Sequence, residues 1–267
     1  MCRVIVVANQ KGGVAKTSTV RNLSYSLAEL GKKVLTVDFD PQCNLTVGFG
    51  VLPKKMQHTS GTLIADMLSD EELPDESEYI QTVGKVDLIP ASRKLTLAEV
   101  NMLITPGSNR YLSQLLEPLR QKYDYILIDT TPSLGALTIN ALTACDEVII
   151  PIDPELFAIT GLNDLMDSIG KVKGNLNPNI KIGGVLFTKC DVRTNLYKSA
   201  QEDVRNYFPT VPIYESVVPL TVKVGEANKR AMAVGEYKST NPAALAYMEL
   251  AKEVTQYAET ESPAEIA

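Results

Sequence analysis

Between a short β-branched run and a helical stretch lies Asn9-Gln10-Lys11-Gly12-Gly13-Val14-Ala15-Lys16-Thr17-Ser18. A segment that wraps phosphate needs small residues, so that backbone N–H groups can converge on oxygen, and a following helix N-terminus to lend its dipole. Lys16 is placed to neutralise β- and γ-phosphate charge, and the Thr17 hydroxyl to ligate Mg2+. The strict pattern GxxxxGK[ST] fails, because Gln10 and Ala15 occupy its two glycine positions. Alanine is tolerated at 15 if φ is negative, as at a helix start, and is costly if φ is positive; negative φ is the expectation. Two carboxylates join the loop. Asp129 ends the apolar strand Tyr125–Asp129, and Asp38 ends Val34–Asp38, so each sits at a carboxyl strand edge, where ligands bind in open α/β sheets. A lone strand-end aspartate often does no more than cap a turn. Two of them beside a phosphate loop suit magnesium, held through water.

These residues need a scaffold, and the chain alternates in a way that supplies one. Arg3–Ala8, Val34–Asp38, Tyr125–Asp129, Glu147–Pro151 and Ile182–Phe187 are apolar runs of the kind that form strands covered on both faces. Helical stretches are expected at 17–30, 155–173, 195–207 and 242–258. Gly31 stands at the stop of the first, and Asn241-Pro242 at the cap and opening of the last. This order implies an α/β fold, a doubly wound, mostly parallel sheet flanked by helices, with right-handed crossovers. Residues 66–79 are acidic and turn-rich and read as a solvated excursion; the tail from about 259 to 267 is acidic and expected to fray. Residues 1–267 are expected to form a single domain.

Composition removes several classes of function. The sequence is 45% hydrophobic and 22% charged, with a net charge of −6, which argues mildly against indiscriminate nucleic-acid binding but says nothing of a local patch. It has no run approaching a membrane span and no signal peptide, so a cytoplasmic protein is expected. Cys2, Cys43, Cys145 and Cys190 are scattered, which speaks against a disulfide framework, a zinc site or a shared iron–sulfur cluster. His58 is the single histidine, so His-based triads and metal sites fall away.

Lys11-Gly12-Gly13-Val14-Ala15-Lys16-Thr17 resembles the deviant Walker A motif, KGGxxK[ST], of the ParA/MinD family of P-loop NTPases. Asp38-Phe39-Asp40-Pro41-Gln42-Cys43-Asn44 is similar to that family's DxDPQxN switch segment, and Asp129-Thr130-Thr131-Pro132-Ser133-Leu134-Gly135 to its DxxPSLG segment. Leu88–Ser92 and Thr188–Asn195 also look like strings of the Soj-type members. The resemblance covers nearly the whole chain. It implies a slow, partner-stimulated ATPase that binds ATP through Lys11, Gly12, Gly13, Val14, Ala15, Lys16, Thr17 and Ser18, with Mg2+ at Thr17, Asp38 and Asp129. It implies that Asp40 orients the attacking water. It further implies that Lys11 reaches the nucleotide of a second subunit, like an arginine finger, so that hydrolysis needs a homodimer.

Soj-type members bind duplex DNA without sequence preference in the ATP state and answer to a ParB-like activator, which makes both the expected partners here and implies nucleoid association. Residues 181–240 carry nine basic and six acidic residues in an otherwise acidic chain. Arg193 and Lys223 match basic positions of the Soj pattern, and Lys223 precedes Val224-Gly225-Glu226-Ala227, similar to the family's RLSEA string. No helix-turn-helix precedes the first strand, so operator binding by an N-terminal extension is not expected. The alternative is a MinD-like membrane-cycling or cluster-positioning ATPase. It wants a basic amphipathic C-terminal helix, whereas residues 255–267 are acidic and broken by Pro263, so no membrane partner is expected. A first test follows from the loop alone: Lys16→Ala should weaken Mg·ATP binding severely in calorimetry, and undiminished affinity would rule the loop out as a phosphate site.

Overall fold

The computed structural model describes residues 2–154 and 158–260. Its eight strands are β1 (Arg3–Val7), β2 (Val34–Phe39), β3 (Gln81–Val83), β4 (Val86–Ile89), β5 (Tyr125–Thr130), β6 (Glu147–Ile152), β7 (Lys181–Cys190) and β8 (Ile213–Pro219). They form one sheet in the order β3-β4-β2-β5-β1-β6-β7-β8. Every neighbouring pair is parallel except β3 with β4. The chain starts at the centre with β1, moves outward through β2 and β4, returns through β5, and then fills the other side with β6, β7 and β8. The connection leaving β1 therefore emerges where the winding reverses, the place where open α/β sheets leave a crevice.

Strands β2, β5 and β6 are buried at every residue, as two-sided cover demands. Alternation divides β1 between two cores: Val4 and Val6 face one, Ile5 and Val7 the other. The second core is roofed by the helices Lys16–Glu29 and Pro242–Thr260 through Val20, Leu23, Leu27, Tyr247 and Leu250. Asp38 and Asp129 are direct partners in the β2–β5 register, and Val7 pairs with Asp129 in β1–β5. Since Val7 points into the core beneath the first helix, both aspartates project towards that helix too. The same pairing register sets them abreast, under the helix that begins with Lys16 and Thr17.

The expected helices occur at Lys16–Glu29, Ala158–Asn175, Asn195–Tyr207 and Pro242–Thr260; residues 155–157 of the second, and the tail from 261, lie outside the described residues. The first ends as expected. Gly31 adopts φ 79°, its N–H reaches Ala28, and the Lys32 N–H reaches Leu27, closing a Schellman motif. At the last helix the Asn241 side chain accepts from the Ala243 N–H at 3.0 Å. The solvated excursion needs correction. Residues 66–68 end the helix Ser60–Leu68, and only the acidic stretch after it lies open to water. Tyr79, which closes the helix Glu76–Tyr79, is buried in the first core. β3, β4 and β8 were not anticipated as strands. β8 alternates in burial as an edge strand does, and its Glu215, Ser216 and Pro219 break the apolar run that a sequence pattern looks for.

A second correction concerns the loop. Ala15 has φ 68° and ψ 25°, in the left-handed region, and not the negative φ expected of a helix start. The reason is geometric. The chain leaves the loop and enters the helix in a single residue, and Ala15 must turn so that its carbonyl already accepts from Thr19 N–H at 2.8 Å. An L-residue with a Cβ pays about 1–2 kcal/mol there. Ala15→Gly should therefore raise stability in denaturant titration by roughly 1 kcal/mol, net of the extra freedom glycine gives the unfolded chain. A loss of similar size would contradict the left-handed turn.

Candidate nucleotide site

A cavity of about 520 Å3 opens at the carboxyl edge of the sheet, bounded by the loop, by the start of the first helix and by the segment from Asp40 to Gly48. On the loop side, Gly12 and Gly13 leave open space, since a Cβ built on either meets nothing within 4 Å. Val14 is buried under the loop, and the Thr188 hydroxyl donates to its carbonyl at 3.1 Å. Lys16 is buried, with Nζ donating to the carbonyls of Asn9 (2.9 Å) and Lys11 (3.0 Å). Burial lowers its pKa, while Asp129 and Asp40 pull the other way. Thr17 and Ser18 line the cavity at the helix start, where backbone N–H groups have no partner within the helix.

The two aspartates differ in how their charge is met. Asp38 is saturated: Oδ2 accepts from the Thr46 N–H (2.8 Å) and hydroxyl (2.6 Å), and Oδ1 from the Asp40 N–H (3.2 Å). Burial raises its pKa to about 6 against those bonds. Asp129 is fully buried, and neither of its oxygens has a hydrogen-bond partner. Burial first, then the charge of Asp38, pushes it well above the usual carboxylate range; the nearby Thr17 hydroxyl and Lys16 act in the opposite sense. An orphaned carboxylate of this kind is costly unless something arrives to satisfy it. Magnesium fits, since it takes one or two carboxylates, keeps several waters and relies on substrate phosphate for the rest. Among the described residues no group of three or more acidic, Cys or His side chains could hold a metal ion by itself. The residues that could hold the ion are Thr17, Asp129 and Asp38, of which Asp38 already accepts from Thr46 and Asp40 and so also ties the strand end to the switch segment.

Asp40 lines the cavity, with Oδ1 accepting from the Gln42 N–H at 2.9 Å. That short turn, followed by Cys43 at φ 58°, leads into the helix Asn44–Gly48. Lys11 forms an ion pair with Asp153 at 2.9 Å, and its N–H donates to Asn9 Oδ1. Sequence reasoning missed Asp153, although it follows the apolar strand β6 just as Asp38 and Asp129 end theirs. It also passed over Lys189, read only as part of a string. Lys189 sits at φ 56° and donates from Nζ to the Gly13 carbonyl, and it lines the cavity. The sign available was its place one residue short of the end of β7, on the same edge as the loop.

Arg193 and Lys223 do not line the cavity. Arg193 is exposed and bonds Asp191 through Nε (2.9 Å) and Nη2 (2.7 Å); Lys223 pairs with Glu226 at 2.7 Å. Both follow the carboxyl ends of β7 and β8, so both lie on the sheet edge that carries the loop. Exposed pairs of this kind contribute little and exchange readily for other partners.

Comparison with known proteins agrees with this construction. The AAA domain family model matches residues 2–182. The sporulation initiation inhibitor protein Soj of Bacillus subtilis is 41% identical over 254 residues, covering 95% of this chain and 98% of that protein. The chromosome partitioning protein ParA of Myxococcus xanthus is 38% identical over 266 residues, covering 98% and 90%. Among solved structures, cobyrinic acid a,c-diamide synthase from Mycobacterium smegmatis, with bound ATP analog and magnesium, superposes with a TM-score of 0.84 at 32% identity, covering 98% of both chains. With the loop, the strand-end carboxylates and the switch segment in the order its motifs require, the chain belongs to the ParA/Soj family of P-loop partition ATPases.

Proposed function

We propose that the chain is a single-domain, ATP-dependent dimerising ATPase that hydrolyses slowly, binds duplex DNA without sequence preference in the ATP state, and acts in DNA segregation with a ParB-like activator. The observation that carries the reading is the unmet Asp129 carboxylate beside Lys16 and Thr17. In this reading Lys16 gives up its carbonyl partners for β- and γ-phosphate oxygens, and the backbone from Lys11 to Ser18 wraps the phosphates. Thr17, Asp129 and Asp38 would hold Mg2+. The ion supplies charge neutralisation across the phosphates. Asp40 orients the attacking water from the cavity wall, which suffices for a reaction that depends on positioning and electrostatics. Lys11 leaves Asp153 to neutralise transition-state charge on the nucleotide of a second copy.

Arg193 and Lys223 are proposed DNA contacts. Their placement on the nucleotide edge lets a dimer formed around ATP present two sets of basic groups together, and phosphate contacts multiply in the salt dependence. No helix among the described residues is long and apolar enough to cross a membrane; a cytoplasmic, nucleoid-associated location belongs to the same proposal.

Asp40→Ala provides the test, since it should keep ATP, stay dimeric in light scattering and hold the DNA-binding state. We expect gel shifts of unrelated duplexes with ATP and none with ADP, lost above moderate salt. Arg193→Ala and Lys223→Ala should each lower the salt slope by about one contact. Lys11→Ala should lose dimer-dependent hydrolysis. If the protein instead pellets with anionic liposomes and ignores DNA, the MinD-like alternative replaces this reading.

A further inference from the structure

Arg21 is a cation whose setting the site described so far does not explain. It lies on the first helix one turn beyond Thr17, lines the same cavity as Lys16 and Asp40, and is only 2% exposed. Its Nη1 donates to Asn228 Oδ1 at 2.9 Å, and its guanidinium lies 5.6 Å from the Phe49 ring centroid. Gly48 packs against it closely, since a Cβ there would stand 3.4 Å from Nη1. Nε and Nη2 are buried and have no hydrogen-bond partner. Among the described residues Arg21 makes no ion pair with a carboxylate. Glu236 is the acidic group that acts on it; burial pulls its pKa down to about 10, which leaves it charged at neutral pH.

A buried charge met by one neutral amide and one ring face is a burden on the free protein, and replacing such a group with an apolar one of similar shape is commonly neutral or stabilising. The charge therefore makes sense in relation to an anion that enters the cavity. The location narrows which part of the anion it meets. The main cavity runs into a smaller hollow of about 230 Å3, and the two share Ala15, Ser18, Lys189 and Asn228. Asn228, the partner of Arg21, lines both hollows, whereas Arg21, Lys16 and Asp40 line only the larger; a nucleoside in the smaller hollow would bring its α-phosphate to the Arg21–Asn228 pair, with Lys16 left for the further phosphates.

We propose that Arg21 is a nucleotide-binding residue, in which Asn228 holds the guanidinium as a pivot while Nε and Nη2 donate to the α-phosphate of a bound nucleoside di- or triphosphate. The proposal rests on the cavity being a nucleotide site. Because the α-phosphate is common to both nucleotides, Arg21 acts equally on ATP and ADP. In leaving Phe49 and Gly48 for the ligand, the guanidinium also reports nucleotide occupancy to the end of the switch segment.

The test is calorimetry with Mg·ATP and Mg·ADP on the wild type, Arg21→Met and Arg21→Lys, with thermal melting of each protein free of nucleotide. A charge-assisted bond of this kind corresponds to about tenfold or more in affinity. Arg21→Met should weaken ATP and ADP by that factor alike, and should melt at the wild-type temperature or above. Arg21→Lys, which keeps the charge, should recover part of the affinity. Wild-type affinity for both nucleotides in Arg21→Met overturns the proposal and marks Arg21 as structural. If Arg21→Met melts lower, a failure of Arg21→Lys to restore affinity overturns it as well. Absence of nucleotide binding by the wild type itself would instead remove the nucleotide reading on which the proposal stands.

Discussion

Two carboxylates side by side in a dry interior are the constraint around which this protein is arranged. The β2–β5 register makes Asp38 and Asp129 direct neighbours, both fully buried and both facing the first helix. Like charges so placed cannot both remain ionised without compensation. The fold resolves the two differently. Asp38 is compensated within the chain, by two donors from Thr46 and one from Asp40. Asp129 has no well-formed hydrogen bond, and only the nearby Thr17 hydroxyl and Lys16 offset its charge, while the Lys16 ammonium itself rests on backbone carbonyls. The free protein thus holds a mismatch that the proposed magnesium–phosphate ligand would relieve, and its binding would then tie stability to occupancy.

The compensation of Asp38 also connects the site to what lies around it. Thr46, which satisfies Asp38, accepts in turn from the Ala91 N–H at 2.8 Å, and Ser60 donates to the Asp38 carbonyl at 2.7 Å. The switch segment is therefore pinned at both its start and its helix, with Asp40 and Gln42 between the pins on the cavity wall. Lys11, paired with Asp153, adjoins Gly12 and Gly13, which line the cavity on its loop side. A ligand that drew Lys16 from the Asn9 and Lys11 carbonyls would loosen the loop segment that carries Lys11, leaving the pinned switch segment and the two packed cores in place.

Much of this was legible in the sequence, for identifiable reasons. Central parallel strands are apolar on both faces, so β1, β2, β5 and β6 stand out. The loop, Asp38 and Asp129 stand out because small residues and two strand-end carboxylates occur together, and Asp40 through its resemblance to the family's switch segment. What escaped depends on three-dimensional context. The short pair β3–β4 and the edge strand β8 have patterns too brief or too mixed in polarity to read. The left-handed turn at Ala15 follows from the geometry of entry into the helix, which residue type alone does not reveal. That Asp38 is satisfied and Asp129 is not depends on where Thr46 folds back, eight residues along the chain. Arg21 reads as one polar residue of a helix until Asn228 and Phe49 are seen to enclose it.

The central claim is that Asp129 is unsatisfied because it awaits a magnesium-bound nucleotide. The most direct measurement is ATP affinity by calorimetry, with and without Mg2+, for the wild type and Asp129→Asn. Mg2+ is expected to tighten wild-type binding by about tenfold or more, the scale of a charge-assisted contact. Asp129→Asn is expected to lose most of that gain, with Thr17 and the phosphates keeping the remainder. A variant that kept the full magnesium effect would contradict the claim, and would leave the buried carboxylate without a role in holding the ion.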